Sequence, residues 1–344
     1  MKYDKIRKII TIIFLGFVVA IFSALVYSRI MAYTLAPTMK SASFRDMPLW
    51  YVPIAYIWDY MSHGWICLLF AFVAAGIVYE FIPKDIITKY MGSNKATGYA
   101  LAAGVAPFFT VCSCTMIPLF SGILYAGAGI GPAIAFLLMA PAANILTILL
   151  TGEIISWQIA IVRIFTSLII AIVAGFVIAN TSWGKCIENQ YKVNNARQMS
   201  IALVKVPLDE RLTNGFKFSW YLAKQILPFF FIGLIIVGYV MRFLPEDIVG
   251  NYLTGFRGIL IASVIGGPLY TPTLVEIILG KGLLDLGMSR AALLSWLMGQ
   301  PYDIPNMMAA SKIIRWKSVL TYALIAWMGS VIFGTLYGIV IGGL

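Results

Sequence analysis

Pro107-Phe108-Phe109-Thr110-Val111-Cys112-Ser113-Cys114-Thr115-Met116-Ile117-Pro118 (residues 107–118) interrupts an apolar segment that runs from 98 to 126. Proline lacks a backbone N–H and its ring clashes with the preceding helical turn. A continuous helix is therefore not expected here. Each flank holds about a dozen residues, roughly 18 Å of helix at 1.5 Å per residue, whereas a bilayer's hydrocarbon core is about 30 Å thick. A second apolar segment, 259–286, is interrupted by Gly266, Gly267, Pro268 and Pro272. Broken backbone survives at membrane depth only where protein or a watery cavity satisfies its polar groups. Both segments read as broken re-entrant hairpins set among helices long enough to cross a bilayer. The candidate spans are 9–29, 64–82, 132–152, 157–180, 218–243, 289–309 and 318–342. The expected fold class is an all-α polytopic membrane protein.

Composition leaves few alternatives. The 344 residues are 61% hydrophobic and 11% charged, against about 25% charged in an ordinary soluble domain. So few charges cannot cover a soluble enzyme, and a disordered chain is far more polar. Four Cys do not make a disulfide scaffold. The net charge of +11 fits the cytoplasmic loops of a membrane protein better than a nucleic-acid-binding face. Met1-Lys2-Tyr3-Asp4-Lys5-Ile6-Arg7-Lys8 precedes an apolar run that is long for a signal-peptide core and has no clear small-x-small cleavage site. It reads as the start of an uncleaved first span.

The chain repeats itself. Phe81-Ile82-Pro83-Lys84-Asp85-Ile86 matches Phe243-Leu244-Pro245-Glu246-Asp247-Ile248. Tyr90 then matches Tyr252, Pro141 matches Pro301, and Trp157 matches Trp316. A shared polar signature is not what chance likeness of apolar segments produces. The expected organisation is an N-terminal transmembrane helix and external loop (1–63), a first repeat (64–183), a solvated cytoplasmic linker (184–217) and a second repeat (218–344). Each repeat holds three transmembrane helices and one broken hairpin. With re-entrant hairpins, residues 1–8, 83–97, 184–217 and 310–317 share one side and carry 16 of the 25 Lys and Arg, against seven in the outer segments. If each broken segment crosses instead, the tally falls to 12 against 11. The positive-inside rule favours the hairpins, puts the N-terminus in the cytoplasm and turns the two repeats upside down. Transporters built this way bind substrate near the midplane, where discontinuous helices meet.

Several residues there bear chemistry. Side chains two apart on a helix point about 200° apart, but in a non-helical tip the Cys112 and Cys114 sulfurs can converge. Thiolates are soft ligands, and a nearby helix N-terminus lowers their pKa. The competing reading is two small, packable residues. Asp303, in Gln300-Pro301-Tyr302-Asp303-Ile304-Pro305-Asn306, and Glu276 are acids within apolar segments. An acid at the bilayer centre costs about 2.5–3.5 kcal/mol on insertion scales, so both are candidates for substrate binding or proton coupling. Hydrogen bonding to backbone freed near Pro301 and Pro305 is the plainer role for Asp303. The first repeat offers neutral Pro141-Ala142-Ala143-Asn144 at the same place. Substrate-binding candidates are thus Cys112, Cys114, Pro141, Asn144, Asp303 and Asn306. Arg163, near the outer end of its span, can pair with an acid or snorkel outward, and snorkelling is the favoured reading; His63 is expected to pair with Asp59 at the interface, and Cys67 to pack in the core. Cys186 should be a reduced thiol in the linker. Gly127-Ala128-Gly129-Ile130-Gly131 reads as a tight link, since no strand precedes it as in a phosphate-binding loop. The sequence holds no metalloprotease, nucleophile-elbow, phosphate-loop or C-x-x-C motif. No cofactor or metal is expected; the only metal-like chemistry is metalloid ligation by Cys112 and Cys114.

Cys112-Ser113-Cys114-Thr115-Met116-Ile117-Pro118-Leu119, followed by Gly131-Pro132-Ala133-Ile134-Ala135-Phe136-Leu137-Leu138-Met139-Ala140-Pro141 and Asn144, resembles the ArsP/YraQ-type predicted-permease family. The likeness extends over most of the chain from about residue 60. It implies an inner-membrane permease that exports trivalent organoarsenicals such as methylarsenite. By position, Cys112 and Cys114 would meet the substrate, and Pro141 and Asn144 would shape its cavity. Two thiolates would occupy the two exchangeable bonds of a monosubstituted trivalent arsenical. The expected partners are the lipid bilayer, a small-molecule substrate and, as further options, protons and a second copy of the chain. The sequence leaves two alternatives open: a permease for a sulfur metabolite, metal ion or amphipathic compound, and a membrane thiol-redox relay.

Overall fold

The computed structural model describes residues 16, 18–27, 30, 47–81, 84–109, 113–201, 207–243, 252–267 and 273–341. The described residues are mostly α-helical, with no strand among them. After a short apolar helix α1 (Val18–Tyr27) come α2 (Val52–Phe81), α3 (Lys84–Tyr90), α4 (Ala96–Phe109) and α5 (Ser113–Tyr125). Then follow α6 (Ile130–Ala142), α7 (Ile145–Leu150), a π-helical turn (Thr151–Ser156), α8 (Trp157–Asn180) and α9 (Ser182–Ile201). The second half runs α10 (Leu208–Phe243), α11 (Gly255–Gly266), α12 (Thr273–Asp285) and α13 (Arg290–Leu297), then a 3₁₀ turn (Gln300–Tyr302), α14 (Ile304–Ala310) and α15 (Trp316–Ile341).

Burial follows composition. Every residue of α6 is buried, as expected of a helix that is apolar on all sides. It packs against α4, α5 and α8, while α13 packs against α11 and α15. Between the halves, α2 lies on α10 and α8 on α15. The α2–α10 crossing is close because both helices place small residues there: a Cβ on Gly76 would collide with the Gly215 carbonyl oxygen. Close backbone approach at small residues is how helices associate where no water drives them together. The outer faces are apolar as well. On α15, Leu320, Leu324, Met328, Ile332 and Leu336 form an exposed stripe, which a bilayer solvates and water does not.

Ile130–Asn180, Leu208–Tyr239 and Trp316–Ile341 are long and apolar enough to cross a membrane. The expected continuous spans 132–152 and 289–309 are each broken. The first stops at Ala142 and restarts from Asn144; the second stops at Leu297, passes through the 3₁₀ turn and restarts from Asp303. A proline precedes each restart by a few residues, and a side-chain cap makes the restart stable.

The halves share local structure. Gly127 (φ 105°) ends α5 and Gly287 (φ 102°) ends α12. At the first, Ala128 N donates to Ile123 O (3.1 Å) and Gly127 N to Leu124 O (3.1 Å). At the second, Met288 N donates to Leu283 O and Gly287 N to Leu284 O, both at 3.0 Å. This is a Schellman-type ending, whose left-handed residue is most readily glycine. The tight link expected at Gly127–Gly131 thus recurs at Gly287, which the sequence reading did not single out.

The linker 184–217 is not simply solvated. Most of it is helix, in α9 and the start of α10. Glu188 Oε2 accepts from the Ser93 hydroxyl and, at 3.1 Å, from Ile130 N at the start of α6. A carboxylate there satisfies a helix-end donor and meets the positive end of the dipole. Tyr191 is buried and donates to Ile313 O at 2.9 Å. Burial pushes its phenol up to about 12, so it stays a donor at neutral pH. The linker therefore grips both halves. The expected first span 9–29 is described only as α1. The loop 31–46, residues 110–112, residues 244–251 and residues 268–272 lie outside the described residues. So does any turning back of the chain at the two expected hairpin tips.

Candidate functional site

Two helix starts organise the site. Asn144 Oδ1 accepts from Thr147 N at 2.8 Å and caps α7. Its Nδ2 reaches Pro141 O at 3.4 Å. Asp303 repeats this arrangement in the second half: Oδ1 accepts from Asn306 N at 2.8 Å, and Oδ2 accepts from Asn306 Nδ2 at 2.6 Å. Asn and Asp are among the best N-caps because a short side-chain oxygen reaches the orphan N–H groups of the first turn. Asn144, Asp303 and Asn306 are all buried. The structure thus gives Asp303 the capping role that was its plainer reading, and brings Asn306 to it.

The packing is crossed. α5, whose first turn carries Cys114, packs against α14 of the other half, and α12 packs against α7. α6, which ends near Pro141, packs against the 3₁₀ turn Gln300–Tyr302. Cys112 lies outside the described residues, and so do the side chains of Cys114 and His63. Cys67 is buried in α2, as expected. Cys186 is exposed and outside any disulfide.

Arg163 departs from expectation: it does not snorkel. It is 1% exposed, and its Nη2 lies 3.5 Å from Glu276 Oε2 and 3.5 Å from Gln300 Oε1. Arg163 belongs to α8 of the first half; Glu276 sits in the first turn of α12 in the second. A carboxylate in a first turn is favoured by the helix dipole, and a buried cation needs a counter-ion. Arg163 Nε and Nη1 and Gln300 Nε2 have no hydrogen-bond partner among the described residues. Asp303 lies within electrostatic reach of Glu276, and the buried Tyr322 within reach of Asp303.

Gln300 is the residue that sequence reasoning missed, and for Arg163 it favoured the wrong one of two options. The available signal was a lone arginine inside an apolar helix in one half and a lone glutamate inside an apolar segment in the other. Their separation of 113 residues hid the pairing. The π-helical turn Thr151–Ser156 also went unforeseen. Such turns are rare and frequently lie at functional sites; this one packs against α12, the helix that carries Glu276.

A family model described as a predicted permease, ArsP_1, matches residues 54–339. The UPF0718 protein MJ0584 of Methanocaldococcus jannaschii is 28% identical over 84% of this chain and 96% of its own length. The UPF0718 protein YraQ of Escherichia coli is 21% identical over 84% of this chain and 82% of its own. A Streptococcus mutans protein named as a putative two-component membrane permease complex subunit is 23% identical over 74% of this chain and 84% of its own. No solved structure matches the chain.

Proposed function

The chain belongs to the ArsP_1 predicted permease family and is a multi-pass membrane permease; from that premise we propose that it is a secondary transporter exporting a small thiol-reactive substrate, a trivalent organoarsenical foremost. Its two halves are inverted repeats, its N-terminus is cytoplasmic, and cargo passes between the halves. Cys112 and Cys114 take the metalloid. Pro141, Asn144, Asp303 and Asn306 shape the path, and Asp303 and Glu276 are its proton-coupling groups. The observation that carries this reading is the crossed packing of broken helices around buried polar groups, α5 on α14 and α12 on α7. A chain this apolar keeps such groups inside where they serve a path or each other.

Everted vesicles from cells lacking other arsenical efflux provide the test. Methylarsenite should accumulate in vesicles containing the permease and not in controls. It should do so less when the pH gradient is collapsed. The Cys112→Ser/Cys114→Ser variant should lose at least about tenfold in rate, the loss of roughly 1.4 kcal/mol of transition-state stabilisation. Undiminished transport by that variant would remove the thiols from the mechanism.

A further inference from the structure

Arg163 is the most under-coordinated charged group in the described interior. A guanidinium has five N–H donors. Only Nη2 finds acceptors, Glu276 and Gln300, both at 3.5 Å. Nε, Nη1 and the neighbouring Gln300 Nε2 have no partner among the described residues. Arg163 and Glu276 are each no more than 2% exposed. Three unspent donor atoms, one cationic counter-charge and a planar fork suit a carboxylate or similar oxyanion, which accepts in bidentate fashion.

The position matters as much as the donors. Arg163 is in the first half and Glu276 in the second, so any opening of a path between the halves must part them. Parting leaves a buried cation without its counter-ion, and that is costly unless another anion takes its place. We propose that Arg163 is the cargo-recognising residue of the path, and that an anionic acceptor group on the cargo replaces Glu276 on the guanidinium when the halves separate. The empty carrier is then held closed by its own ion pair, and the loaded one is free to open. No covalent step is involved. The inference rests on the permease reading and not on the thiols, and it adds an anionic group to the cargo's description.

The test uses purified full-length protein in liposomes and three probes: phenylarsonous acid, its 4-carboxy analogue, and benzoate as the arsenic-free control. The variants are Arg163→Lys, which keeps the charge and loses the fork, and Arg163→Gln/Glu276→Gln, which removes both charges together. Wild-type protein should bind and carry the 4-carboxy probe at least about tenfold better than phenylarsonous acid, the size of one charged hydrogen bond. Both variants should lose that preference, read within each protein as the ratio of binding of the 4-carboxy probe to binding of phenylarsonous acid, whatever their absolute transport rates. Either folded variant keeping the full preference would reduce Arg163 to a structural ion pair and overturn the proposal. If the double variant does not fold, Arg163→Lys decides alone. If wild type carries neither arsenical yet binds benzoate in an Arg163-dependent way, the arsenical reading falls and the anion site stands. If benzoate and the 4-carboxy probe show no such dependence while phenylarsonous acid is carried, the anion site falls and the arsenical reading stands.

Discussion

Asn144 and Asp303 perform one structural task with different charge. Each opens a helix just past a proline, and each offers its Oδ1 to the N–H three residues on. Asn144→Ala should therefore cost about 1 kcal/mol or somewhat more, read as a lower unfolding temperature in detergent. Asp303→Asn keeps the capping oxygen but loses the acceptor that Asn306 Nδ2 uses, so it should cost about 1–3 kcal/mol, read by the same thermal unfolding. A loss of transport by folded Asp303→Asn would report on the carboxylate, its charge and its bond to Asn306 together, and wild-type transport would limit Asp303 to its cap. Arg163 follows another rule. Removing one member of a buried ion pair costs about 3–5 kcal/mol, whereas replacing both members is often neutral. Arg163→Ala should unfold far more readily than wild type, and Arg163→Gln/Glu276→Gln should recover most of the loss. A double variant as unstable as the single one would mean that the pair contributes more than mutual neutralisation.

At the level of elements, the ends of α5 and α12 depend on glycine. Gly127 and Gly287 lie at φ near +105°, a region that costs an L-residue with a Cβ roughly 1–2 kcal/mol. Gly127→Ala and Gly287→Ala should each show a destabilisation of that size by thermal unfolding, and nearly additive values when combined, since the two turns belong to different halves. The α2–α10 crossing is less forgiving. A leucine at Gly76 has no room against the Gly215 carbonyl and the Ser219 hydroxyl, so Gly76→Leu should lower the yield of folded, detergent-stable protein sharply. Ala at the neighbouring half-buried Ile77 serves poorly as a control, because Ile77 borders the same small groove as Gly76 and Gly215; Leu69→Ala, on the exposed face of α2, is the better comparison.

For the molecule as a whole, orientation is the quantity that the basic residues encode. Cys186 is exposed in α9, within the linker that the proposed topology puts in the cytoplasm on its Lys and Arg count. A membrane-impermeant maleimide should label Cys186 in everted vesicles and not in intact cells, with Cys186→Ser as the control; labelling from outside would reverse the topology. The amino-acid sequence alone determined the all-α membrane class, and it motivated the two-fold repeat and the neighbourhood of the site on which the proposal draws. Those properties follow from hydropathy, proline and glycine placement and charge counts, which are local and survive without any contact. It misjudged residues 132–152 and 289–309 as continuous spans, because hydropathy averages over the single polar residue that caps a restart. It read 184–217 as a solvated linker, because polarity does not reveal that Glu188 meets a helix N-terminus and Tyr191 a distant carbonyl. It sent Arg163 outward, because a cation at the edge of a span has two resolutions, lipid headgroups or a counter-ion. Only the tertiary structure decided between them, by bringing Glu276 from the other half to within 3.5 Å, a pairing set by packing across 113 residues of chain and not by any local preference.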